Sequence, residues 1–139
     1  MASLTVRFDV PAEVAFDYLV DPVNRPEWQT SLKGVELLDE NPPHIGQRWY
    51  DVTRTRGVRP LMVLESMSRP HVWVETGTWR GFEATMALSF EPTSYGCEVS
   101  ASFAIHGRGP TRPLGPMLTG AGGPAVKRDL KRAARILRG

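Results

Sequence analysis

Turn-forming residues cut positions 47–107 into five short runs, 47–56, 59–68, 71–79, 82–91 and 97–107, and this spacing limits the possible folds more than any other feature. The breaks fall at Arg56-Gly57, Arg69-Pro70, Arg80-Gly81 and the segment Pro92-Thr93-Ser94-Tyr95-Gly96. Connections this short leave no room for the crossover of a dozen or more residues that joins parallel strands, so the runs predict an antiparallel meander. Two runs show their faces. Phe82, Ala84, Met86, Leu88 and Phe90 alternate with Glu83, Thr85, Ala87, Ser89 and Glu91, and Val99, Ala101, Phe103 and Ile105 alternate with Glu98, Ser100, Ser102 and Ala104. One sheet face is therefore buried and the other wet. In 71–79 the choice stays open, because Val72 and Val74 compete with Trp73 and Trp79 for the inside.

The flanks complete the element order. Leu4, Val6, Phe8 and Val10 recur with period two and predict a first strand. Pro11 stops it and opens a short amphipathic helix over 11–20, which Asp21-Pro22 ends. Residues 23–28 read as a helical turn leading to an anchored Trp28, residues 31–39 as a strand, and residues 40–46 as a loop. In the terminal segment, Val126, Leu130, Ala133 and Leu137 form one apolar stripe on a helix over 125–137. The run Gly120-Ala121-Gly122-Gly123-Pro124 is expected to bend or break any helix that enters it from the front.

A length of 139 residues with 41% hydrophobic composition fits a single domain spanning 1–139 with its own core. Cys97 is the sole cysteine, which rules out an internal disulfide and any thiolate-based zinc site. No apolar run approaches the ~20 residues of a membrane span, and the N-terminal residues lack a leader's charged and apolar regions, so a cytoplasmic location is expected. The charge is divided unevenly. Residues 1–107 hold 9 Lys/Arg against 14 Asp/Glu, whereas residues 108–139 hold 8 Lys/Arg against Asp129 alone, so the overall +2 conceals a basic tail on an acidic body.

A sheet of seven antiparallel strands has one apolar face and no second sheet to cover it. The terminal helix is the element long enough to do so. One helix cannot fill the hollow of a curved, twisted sheet of that width, which invites a cavity between them. The stretch Val10-Pro11-Ala12-Glu13-Val14-Ala15-Phe16-Asp17-Tyr18-Leu19-Val20-Asp21-Pro22, then Pro26-Glu27-Trp28, resembles the opening of START-like, helix-grip proteins, in particular the bacterial polyketide cyclase/dehydrase-like (SRPBCC) branch. Gly46-Gln47-Arg48-Trp49, Val63-Leu64-Glu65 and Gly96 are similar to positions in that family, and Cys97 stands where many relatives have threonine. The resemblance implies an α+β helix-grip fold: a seven-stranded curved antiparallel sheet wrapped around a long C-terminal helix, with two short helices between strands 1 and 2. It also implies a cavity for lipids, isoprenoids, polyketides or other apolar small molecules.

The expected cavity wall is Phe82, Ala84, Met86, Leu88, Val99, Ala101, Phe103 and Ile105 on the sheet, Trp49 beside them, and Met117, Leu118 and Ala121 on the helix side. The expected function is a carrier or sensor of an apolar small molecule. The alternative is an acid/base enzyme of the cyclase or dehydratase type, which needs a titratable group facing inward. If Trp49 points inward then Asp51 shares its face, where an apolar setting would raise its pKa. In the opposite register, Tyr50 and Val52 point inward and Asp51 is solvated. Asp51 is the catalytic candidate, with Glu65 and Glu75 behind it on the same reasoning.

His44, His71 and His106 are scattered without metal-site spacing, and no metal or cofactor is expected. Cys97 reads as packing, having no sequence-near histidine to activate it. Lys127, Arg128, Lys131, Arg132, Arg135 and Arg138 could touch an anionic membrane surface beside the cavity mouth. Nucleic acid is not an expected partner, because no aromatics are interleaved with these basic residues.

Overall fold

The computed structural model describes residues 2–139, so Met1, the first residue of the expected domain, lies outside the described residues. Seven strands form one sheet: β1 (Ala2–Phe8), β2 (Leu32–Leu37), β3 (Arg48–Thr53), β4 (Leu61–Ser68), β5 (Val72–Trp79), β6 (Phe82–Thr93) and β7 (Gly96–Gly107). Their spatial order is β1-β7-β6-β5-β4-β3-β2, and every neighbouring pair is antiparallel. The meander read from the turn spacing is the body of the fold, and β1 joins its end by pairing Phe8 with Cys97 and Ala2 with Phe103. Helix α1 (Ala12–Val20) and the four-residue helix α2 (Arg25–Trp28) lie between β1 and β2, and α3 (Leu114–Arg138) closes the chain.

Strand β6 runs two residues further than its sequence pattern suggested, through Pro92, which sits opposite Cys97. The pairing of β6 with β5 ends at Ser89, so Pro92 lies on a free edge where its missing N–H costs no ladder bond. The open choice in β5 resolves in favour of the tryptophan parity: Trp73, Glu75 and Gly77 are buried while Val72 and Val74 stay half-buried on the outer face. A register shift in β4 between Leu64 and Ser66 leaves Glu65 on the outside, where it accepts a hydrogen bond from the Thr76 hydroxyl at 2.7 Å.

The glycine-proline run does not break the helix. Helix α3 is continuous over 25 residues with Pro124 inside it. Packing explains why propensity loses here. A Cβ on Gly115 would lie 2.7 Å from the Ile105 carbonyl oxygen, and one on Gly122 would lie 3.1 Å from the Phe103 ring. Glycine at these positions lets the front of α3 settle directly on β7. Thr119 fastens the contact: its hydroxyl accepts from the Ile105 N–H at 2.8 Å and donates to the Gly115 carbonyl at 2.9 Å. The carbonyl that Pro124 cannot bond belongs to Gly120, which is exposed.

At the other end the core is solid. Phe16 of α1 meets Trp73 edge-on at 5.9 Å between ring centroids and Phe90 at 5.3 Å. Leu88, Val99 and Ala101 fill the sheet side, and Leu130 and Ala133, the centre of the apolar stripe, seal it from α3.

Candidate functional site

The front half of α3 and the sheet do not fill the space between them. A cavity of about 380 Å³ remains, walled by Met62, Phe82, Ala84, Met86, Ile105 and Leu118, with Trp79 and Pro60 beside them. Strand alternation sets this wall, since Phe82, Ala84 and Met86 occupy consecutive inward positions of β6. Gly77 of β5, opposite Ala84, leaves its share of the space to the Met62 side chain, whose sulfur would stand 2.7 Å from a Cβ there.

Polar side chains also line the cavity: Arg25, Gln29, Asp51, Glu75 and Thr78. Three of them are charged and nearly sealed from solvent, with Arg25 and Glu75 2% exposed and Asp51 4%. Arg25 donates through Nη2 to Glu75 Oε2 and through Nη1 to Gln29 Oε1 at 3.2 Å. Its guanidinium lies 5.5 Å from the Trp28 ring centre and 5.8 Å from that of Trp49. Trp49 Nε1 donates to Asp51 Oδ1 at 3.0 Å. Buried charges persist only when paired, and this cluster holds two carboxylates against one guanidinium.

The charges shape one another. Burial pushes the Asp51 carboxyl up to about 6. The Arg25 charge opposes the rise, the Glu75 charge adds to it, and the Trp49 hydrogen bond holds it back. Burial works to lower the pKa of Arg25, but the charges of Glu75 and Asp51 and the bond to Glu75 outweigh it, and the guanidinium is held above its ordinary range.

The register with Trp49 and Asp51 inward is the one adopted, while Tyr50 and Val52 lie half-buried on the outer face. Of the residues expected on the wall, Phe82, Ala84, Met86, Ile105 and Leu118 line the cavity. Leu88, Val99, Ala101 and Phe103 do not. Leu88, Val99 and Ala101 belong to the filled end, where α1, Trp73 and the rear of α3 occupy the hollow, and the buried Phe103 ring lies against Gly122 of α3. Trp49 is buried behind Asp51 rather than on the wall. Met117 is 62% exposed and Ala121 is also exposed, because the continuous helix turns those positions outward.

The sequence reading passed over Arg25, the centre of the polar cluster. The available signal was its i, i+3 spacing from Trp28, which puts both residues on one helical face. The three histidines and Cys97 lie outside the cavity lining. The basic residues 127–138 also stand apart from it: Lys127 lies about 14 Å along the helix from Leu118. These basic residues therefore lie toward the rear of α3 and not, as expected, beside the cavity mouth. Among the described residues, no helix is long and apolar enough to cross a membrane.

A curved seven-stranded antiparallel sheet gripping a long C-terminal helix defines the START-like class, and solved structures agree. A START superfamily protein from Mycobacterium smegmatis aligns with a TM-score of 0.78 at 14% identity, covering 99% of this chain and 96% of that one. A Mesorhizobium loti protein gives 0.76 at 13% identity, covering 99% and 96%. A protein from Deinococcus radiodurans gives 0.66 at 20%, covering 96% and 92%. At such identities the likeness establishes the fold. The chain belongs to the family described as polyketide cyclase / dehydrase and lipid transport, whose model matches residues 1–138. A search of curated proteins found no match.

Proposed function

We propose that the protein is a cytoplasmic carrier or sensor that binds an apolar small molecule, of lipid, isoprenoid or polyketide type, between the sheet and the front of α3. The observation supporting this reading is the cavity itself: about 380 Å³ walled mainly by carbon, beside a buried aromatic and aliphatic core. At about 30 Å³ per heavy atom, the space takes about a dozen heavy atoms, and a longer guest would extend through the mouth. Burial of apolar surface supplies the affinity, at ~25 cal/mol per Å² before the cost of association. The test is native mass spectrometry of protein purified from its own host, repeated on Ala84→Phe. A noncovalent adduct lost in the variant supports the reading. A bare protein that also fails to take up naphthol or naphthalene overturns it.

The second reading is acid/base catalysis of the cyclase or dehydratase type on a polyketide-like substrate. Asp51 favours it, since a carboxyl titrating near 6 at a cavity wall can both accept and deliver a proton near neutrality. Turnover by this route would show an inflection near that pH and disappear in Asp51→Asn. A guest recovered chemically unchanged after prolonged incubation removes it. An anionic membrane is a further proposed partner, through the exposed Lys127, Lys131 and Arg135 of α3. Binding to anionic vesicles that weakens with salt would support that contact.

A further inference from the structure

The polar cluster sets two carboxylates against one guanidinium, and carboxylate oxygens are left free at the cavity. Within the protein, Asp51 Oδ1 is taken by Trp49 and Glu75 Oε2 by Arg25. Asp51 Oδ2 and Glu75 Oε1 have no hydrogen-bond partner among the described residues. Neither is among the buried side-chain atoms that are both sealed and unpaired, whereas Arg25 Nε is. Both side chains line the cavity. The free oxygens are thus acceptors that a guest can reach, beside the Gln29 amide and the Thr78 hydroxyl, while Arg25 Nε is shut away from it. With both carboxylates ionised, the cluster also has one negative charge in excess.

We propose that the guest is an apolar molecule with a hydroxyl or amide-type N–H, seated so that this donor reaches Asp51 Oδ2 or Glu75 Oε1, and that carboxylate-bearing molecules are refused. The inference rests on the cavity being a binding site and specifies the chemistry of its occupant. A donor gains a charge-assisted bond to a carboxylate in a site with little water, where such bonds are strongest. A hydrocarbon of the same shape leaves the two oxygens unpaired in an apolar surrounding once water is expelled. A carboxylate fares worst, since it brings a second uncompensated negative charge beside the first. Arg25 offers a carboxylate little compensation, because its charge already serves Glu75 and Asp51 and its Nε is sealed away. The guest therefore meets the acidic side of the cluster although an arginine stands at its centre.

Three probes of one skeleton test this: naphthol, naphthalene and naphthoate, titrated into the full chain at about pH 7.5, where Asp51 is ionised. Binding is read by calorimetry and by quenching of tryptophan fluorescence, Trp79 being at the wall. Naphthol should bind at least about tenfold more tightly than naphthalene, with naphthoate the weakest of the three. In Asp51→Asn, naphthoate should gain and the margin of naphthol over naphthalene should narrow. Equal binding of naphthol and naphthalene, or naphthoate binding as well as naphthol, overturns the donor requirement while leaving the cavity as a binding site. Failure of all three to bind overturns both. The wild-type ranking decides the question even if the variant does not fold.

Discussion

Replacing Asp51 by asparagine should make the protein more stable at neutral pH, although the substitution removes a buried charge next to an arginine. The sign follows from the direction of the pKa shift. Burial lifts the Asp51 carboxyl from its ordinary 3.8 to about 6, so between these values the folded chain binds more protons than the unfolded one. Stability must then fall as pH rises through this window. The contribution of the protonated carboxyl is fully present below about pH 4 and lost above about pH 6. The two pKa values correspond to about 3 kcal/mol. Asparagine keeps the shape and the acceptor that Trp49 Nε1 requires, but does not ionise. The stability of the variant relative to wild type should therefore improve by about 3 kcal/mol between pH 4 and pH 7.5, or roughly 10 °C in Tm for a chain of this size. Urea unfolding of both proteins across this range checks the difference, and the comparison cancels the titration of every group they share. A gap that stays constant with pH, or a variant that loses ground at neutral pH, would refute the argument that desolvation outweighs the attraction of Arg25.

Arg25→Met should be destabilising in the opposite way, by about 3–5 kcal/mol at neutral pH, because it strands Glu75 and Asp51 as two buried carboxylates. Urea unfolding should show this loss shrinking in acid as Asp51 takes up its proton. Ala84→Phe places a ring in the cavity opposite Gly77 and next to Ile105, and should reduce naphthol binding more than tenfold with little change in stability. Unchanged naphthol affinity in that variant would mean the guest sits elsewhere.

The sequence by itself determined the scaffold. Short turn-bounded runs dictated antiparallel neighbours, period-two alternation in β6 and β7 assigned their inner faces, and the stripe through Leu130 and Ala133 marked the side of α3 that meets the core. These are local signals, legible because side-chain direction repeats with a fixed period. The same alternation could not say how far along the sheet the hollow remains empty. Leu88 and Val99 read like Ala84 and Ile105, yet Phe16, Trp73 and Phe90 fill the space over the first pair and no described residue fills it over the second.

Tertiary structure also decided that the glycine-proline run stays helical, since the close approach of Gly115 and Gly122 to β7 outweighs their poor propensity. Above all it brought Arg25 to Glu75, fifty positions later in the chain, and placed Asp51 in the same buried cluster. A titratable group takes its charge and pKa from neighbours in space, and periodicity within one element has no means of naming those neighbours.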